Sequence, residues 1–240
     1  MIQIFAIVGV LLAIVTYWII PEVKNTSQTT VLSDLREVLG NSRVILSCIF
    51  AGLMVGPLEG FADVWATAFL KQVYGFDGTL AASLPSMIFI GMCVGAPILS
   101  LIAEKVRSYQ GTIIGAGLIM VLSFSLILSW HLSSSMISLN FILIGICCAY
   151  QILAIYKIST YVPEHIAGLT TAIANMIIMI FGYAFHSTMG GVINSTGGPS
   201  TVSALIQGVS VIPIALSIGT LGFIGLAIKD YSRKPVRLPH

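Results

Sequence analysis

The chain has 240 residues, 57% of them hydrophobic and only 8% charged, and 11 Lys and Arg against 9 Asp and Glu leave a net charge of +2. A soluble domain carries about a quarter charged residues, so a water-facing globule is excluded. So few, scattered cations also exclude a nucleic-acid footprint.

Seven apolar stretches reach or approach the roughly 20 residues needed to cross a bilayer as a helix. They fall at about 2–20, 44–70, 80–103, 111–130, 136–156, 167–192 and 204–228. Every Asp, Glu, Lys and Arg lies outside them except Glu59 and Asp63, as expected if an intramembrane charge costs several kcal/mol. The expected fold class is therefore an all-α integral membrane bundle of about seven transmembrane helices. The connections alternate in charge: one set holds Lys24, Arg36, Arg43, Lys105, Arg107, Lys157, Lys229, Arg233, Lys234 and Arg237, the other only Lys71. By the positive-inside rule the basic set and the tail 229–240 are cytoplasmic and the amino end is outside. Tyr17, Trp18, Trp130, Tyr156 and Tyr161 fall at the borders this assigns.

In chain order, the first span lacks the basic n-region and cleavage site of a signal peptide and reads as a span severed from upstream neighbours. In the segment 21–43, Pro21 acts as a stop and Val31, Leu32, Leu35, Val38 and Leu39 share one face of a short amphipathic helix. Gly40 and Asn41 are expected to close it as a C-cap.

The second span is the informative one. Gly52, Gly56, Glu59 and Asp63 recur at helical spacing, which places both carboxylates on the glycine side of one helix, facing protein. Pro57 removes a backbone hydrogen bond beneath Glu59 and is expected to loosen the helix. Carboxylates this close repel when both are ionised, the chemistry of a proton-coupling site or of a pocket for a cationic group. The plainer alternative is that each acid bonds a neighbouring helix or reaches water.

The third span carries Gly91 and Gly95 as a close-packing pair. In the fifth, Tyr150 and Gln151, with Asn140, are interhelical glue or hydrogen-bonding groups for a substrate. The sixth repeats the stripe pattern with Asn175, Met179, Gly182 and His186. At about 1.5 Å rise per residue Asp63 and His186 share a depth, so a carboxylate and an imidazole could relay a proton, although a lone His bonded to another helix is the simpler reading. Gly219, Gly222 and Gly225 give the seventh span a packing face, and Pro85, Pro97 and Pro213 are points of bending. Cys48, Cys93, Cys147 and Cys148 all sit in apolar runs and read as packing residues, with neither a disulfide framework nor a metal spacing. No metal or cofactor is implied.

A retinal pigment needs a lysine in its last helix, and 204–228 has none. The Asp/Glu-Arg-Tyr and Asn-Pro-x-x-Tyr patterns of seven-helix receptors are missing, as are Gly-x-Ser, His-Glu-x-x-His and paired-aspartate signatures of intramembrane hydrolases, so no catalytic residue is assigned.

Phe61-Ala-Asp63-Val-Trp65, Phe69-Leu70, Tyr74-Gly75-Phe76, Ser86-Met87 through Gly91, Gly95-Ala96-Pro97, Tyr150-Gln151 and Asn175-Met176 through Met179 with Gly182 resemble the second half of major facilitator superfamily transporters. After Gly95, Glu104-Lys105 and Arg107 resemble a degenerate form of the family's cytoplasmic loop motif. The resemblance implies a lone first span (1–20) like the last helix of an amino-terminal half, an inter-half loop (21–43), a six-helix bundle (44–228) and a tail (229–240). It further implies a small-molecule solute bound between two halves in the bilayer, the other half being a separate chain or a second copy. Glu59 and Asp63 are the first candidates for coupling or substrate charge, followed by His186, Asn175 and Gln151. The opposing expectation is a truncated remnant or membrane assembly partner without transport of its own.

Overall fold

A computed structural model describes residues 2–19 and 31–232, and all the regular structure among them is helical. Six helices are long and apolar enough to cross a membrane: Ser42–Gln72, Gly78–Val106, Tyr109–Ser129, Ser134–Ser159, Glu164–Ser195 and Val202–Asp230. These coincide with the second to seventh apolar stretches. Helix α1 (Ile2–Ile19) is apolar throughout and falls in a compact unit of its own, and its described side chains are exposed. Pro21 and the tail from Arg233 lie outside the described residues.

Helix α2 (Val31–Gly40) splits its apolar face. Val38 is buried with Val44, Cys48, Ile158 and Ile166, and Leu35 packs partly against them, while Val31, Leu32 and Leu39 stay exposed. Asn41 closes this helix through its backbone N–H, which donates to the Val38 carbonyl at 3.2 Å, but its side chain serves the next one. It is the N-cap of α3 (Ser42–Leu53), its side chain accepting from the Arg43 amide at 3.1 Å while its Nδ2 donates to the Tyr161 carbonyl at 3.1 Å. An Asx side chain at this boundary serves the orphan amides of the following helix better than the carbonyls of the preceding one.

The first bundle span continues as a π-helix (Gly56–Trp65) and α4 (Ala66–Gln72). Then come α5 (Gly78–Ser83), α6 (Ser86–Val106), α7 (Tyr109–Ser129), α8 (Ser134–Cys148), α9 (Tyr150–Ser159), α10 (Glu164–Ser195) and α11 (Val202–Ser232). The starts of α5, α7 and α8 follow from capping side chains: Asp77 accepts from Leu80, Ser108 from Gly111 and Ser133 from Met136. Between α6 and α7 the chain reverses on Arg107, which adopts the left-handed conformation (φ 55°), and Ser108 N–H donates to Ala103 C=O at 3.0 Å, closing the last turn as a glycine commonly would.

Close approach organises the bundle. Gly91 and Gly95 of α6 lie directly against the backbone of Ile142, Gly145 and Ile146 in α8. In lipid, where apolar side chains gain little by leaving one neighbour for another, such van der Waals contact is the main attraction between helices. Gly219 and Gly222 similarly admit Met54 and Phe50, whereas Gly225 meets nothing. At the centre, Phe61 of the π-helix meets Phe69, Phe124 and Phe141 edge to face, with centroids 5.8, 5.3 and 5.8 Å apart. Cys48, Cys147 and Cys148 are buried as packing residues, but Cys93 is exposed on α6 because the face of that helix turned to α8 is the one bearing the glycines.

The end of the bundle bearing most of the basic residues is tied by one polar cluster. Arg43 at the start of α3 pairs with Asp230 in α11 at 3.3 Å, and the Tyr161 hydroxyl, between α9 and α10, donates to the other Asp230 oxygen at 3.2 Å. Lys157 stands over the Tyr161 ring at 4.9 Å. Burial first, and the Asp230 charge second, push the Tyr161 phenol up to about 12. Since an unfolded tyrosine titrates near about 10, this contribution to stability is complete below that pH and is lost as the pH rises through about 12.

Two outcomes follow for thermal melting in detergent. Tyr161→Phe should lower the melting temperature at neutral pH and reduce the alkaline fall between about pH 10 and 12; an undiminished alkaline fall would contradict the assignment. Gly145→Ala, whose Cβ would collide with the Ile88 carbonyl, should cost about 1–3 kcal/mol, while Gly168→Ala, which faces open space, should cost nothing measurable.

Candidate functional site

The span holding both intramembrane carboxylates is a broken one. α3 ends at Leu53, and after Met54 and Val55 the backbone adopts the wider π winding over ten residues, with Pro57 in its first turn contributing no N–H. Most π-helix is found as single turns, frequently at functional sites. The break in this span is matched by one in the span Ser134–Ser159, where α8 gives way to α9 at Ala149. The two breaks are joined: the buried Tyr150 hydroxyl donates to the Ala51 carbonyl at 2.7 Å. The same carbonyl also accepts from the Met54 N–H at 3.1 Å in the tight last turn of α3.

The wider winding changes the expected stripe. Gly52 and Gly56, with Gly60, receive side chains from α10: Phe181 lies over Gly52, Phe185 over Gly56 and Gly60, and Met189 near Gly60. Glu59 also meets α10, its stem carbons lying over Gly182. Asp63 is exposed. The expected stripe holds through Glu59 and is corrected at Asp63, because α-helical spacing does not apply to a π-helix.

Glu59 is half-buried and interacts electrostatically with Asp63 on its own span, with His186 on α10, and with Cys148 and Tyr150 at the facing break. The structure thus gathers three of the five candidates, Glu59, Asp63 and His186. Asn175 is exposed on α10, on the Glu164 side of Gly182, and Met179 of the same stripe is exposed too. Gln151 is 8% exposed and adjoins Tyr150 at the start of α9. Trp65, at the end of the π-helix, is half-buried beside Gly190, with its indole N–H buried and without a hydrogen-bond partner. Of the two roles expected of Tyr150, interhelical glue is the one its bond to Ala51 shows. Sequence reading missed Gly182 as the surface beneath Glu59; the signal was a glycine one helical turn before His186.

The loop-motif residues do not stay together. Glu104 and Lys105 are exposed in the last turn of α6 and Arg107 forms its left-handed cap, but Gly95 lies well inside α6 against Ile146. A cavity of about 250 Å³ lies elsewhere, lined by Leu53, Phe181, Ala184, Phe185, Thr188, Val211 and Ala215, and holds none of the candidate residues. No metal-binding cluster occurs among the described residues.

A family model described as Major Facilitator Superfamily matches residues 1–187, and no individually curated protein matches the chain. The match takes in all five candidate residues. The chain belongs to the major facilitator superfamily, a family of membrane transporters.

Removing the Tyr150 hydroxyl tests the link between the two breaks. Tyr150→Phe leaves the Ala51 carbonyl with the Met54 N–H as its remaining partner and should destabilise the protein by about 0.5–1.5 kcal/mol in detergent melting; no loss would mean the breaks are held by packing alone.

Proposed function

We propose that this chain acts as the carboxyl-terminal half of a proton-coupled secondary transporter for a small organic solute, of the amino-acid or organic-acid class. The observation that carries the reading is the placing of Glu59: an intramembrane carboxylate on a π-wound, proline-loosened span, within electrostatic reach of Asp63 and His186. A membrane-embedded carboxyl that can exchange a proton as its surroundings change is what coupling needs, and neighbours of both signs make its proton affinity responsive to small movements. In this reading Glu59 carries the coupling proton, Asp63 and His186 set its field and deliver or receive the proton, and Gln151 and Asn175 offer hydrogen bonds to the solute. A cytoplasmic basic end is supported by the clustering of Arg43, Lys105, Arg107, Lys157 and Lys229 there. A second half packed on the exposed, partly polar side of α10 completes the path, since that side is unsuited to lipid.

The test is accumulation by proteoliposomes of a panel of labelled amino acids and organic acids under an inward proton gradient, with the protein alone or with its partner chain. Gradient-driven accumulation of at least one solute is expected, falling more than about tenfold in Glu59→Gln and losing its pH dependence. Uptake that survives both Glu59→Gln and Asp63→Asn with its pH dependence intact would overturn the site. The absence of any uptake alongside a stable monomeric mass would favour the reading as a non-transporting membrane partner.

A further inference from the structure

Along the contact between the broken span and α10, glycines and bulky side chains alternate in a definite sense. At Gly52, Gly56 and Gly60 the glycine is on the broken span and the side chain comes from α10. At Gly182 the direction reverses, and the side chain received is Glu59. A Cβ at position 182 would lie 3.0 Å from the Glu59 Cβ, 3.1 Å from its Cγ and 3.5 Å from Oε2. The Cγ and carboxyl can swing aside, but the Cβ is fixed by the backbone of the π-helix. Nor can α10 back away locally, because Phe185, three residues on, is in tight contact with Gly56 and has its Cβ 3.0 Å from where a Gly60 side chain would start.

We infer that Gly182 is a positioning residue for Glu59: its missing side chain fixes the carboxyl against α10, one helical turn from His186, and thereby sets its proton affinity. This rests on the reading of Glu59 as the coupling carboxyl. Gly182 contributes no group to the solute and acts only through the glutamate. The titratable groups facing Glu59 are Asp63 from its own span, His186 from α10, and Cys148 and Tyr150 from the span broken at Ala149. Coulomb interactions vary with separation, so turning the half-buried carboxyl off the glycine changes its balance among these groups. An alanine at 182 is thus expected to act as a change in Glu59 chemistry, not merely as a loss of packing.

N,N′-dicyclohexylcarbodiimide reacts with protonated carboxyls in apolar surroundings, so its labelling of Glu59, located by peptide mass spectrometry on the reconstituted full chain across a pH series, reports the proton on that residue. In Gly182→Ala the midpoint of labelling should move by about half a pH unit or more, at least a threefold change in proton affinity. Gly168→Ala, on the same helix but facing open space, should leave it in place. If Gly182→Ala does not fold, Glu59→Asp withdraws the carboxyl from the glycine by one methylene and should move the midpoint beyond the intrinsic difference of about 0.4 units between the two acids. A folded Gly182→Ala with the unaltered midpoint overturns the inference and leaves the proton-carrying role of Glu59 standing, as does an Asp midpoint displaced by no more than that intrinsic difference. If Glu59 in the unsubstituted protein labels at no pH, it does not hold an exchangeable proton and the reading of function falls together with the inference built on it.

Discussion

Everything distinctive in this molecule depends on how closely the broken span approaches α10. Phe181 and Phe185 can lie on the broken span because Gly52, Gly56 and Gly60 present bare backbone, and Glu59 can lie on α10 because Gly182 does the same. In a bilayer such contact is the attraction itself, because the surrounding lipid competes on equal terms for any apolar side chain. The same closeness that stabilises the pair holds a half-buried carboxylate against α10. A single packing arrangement therefore supplies both the helix pairing and the electrostatic setting of the site.

The breaks in the two spans are complementary consequences. A helix with Pro57 in its path and π winding above it cannot satisfy all its backbone groups alone, and Tyr150, at the other break, donates to the carbonyl of Ala51 just below. At the far end of the same span Arg43 is anchored through Asp230 and Tyr161. Both polar ties lie on the amino-terminal side of the irregular segment, while Phe61 holds its inner face in an aromatic cluster.

The bundle was legible in the sequence because hydrocarbon thickness imposes a length and a composition that need no tertiary information: the six spans from Ser42 to Asp230 lie within a few residues of the apolar stretches. The intramembrane acids were legible for the same reason, since Glu59 and Asp63 stand out against an otherwise uncharged background. What could not be read was local. Pro57 announces a disturbance but not the π winding that follows it, and so the α-helical spacing linking Gly56, Glu59 and Asp63 was extrapolated too far. Asn41 closes α2 as expected, but its second role as the N-cap of α3 was not read, because a residue between two helices carries no mark that its side chain serves the following one. Gly95 was grouped with a loop by resemblance although its proximity to Gly145 is set by a partner helix many residues away. Cys93 looks like its three buried counterparts until the packing face of α6 is known.

The central claim is that Glu59 exchanges a proton within the membrane. Infrared difference spectroscopy on oriented, reconstituted membranes during a pH step measures it directly, because a protonated carboxyl has a C=O stretch separated from the amide and carboxylate bands. The account predicts a pH-dependent band in that region that is absent from the Glu59→Gln protein. A spectrum without such a band, or one that the substitution leaves unchanged, would contradict it.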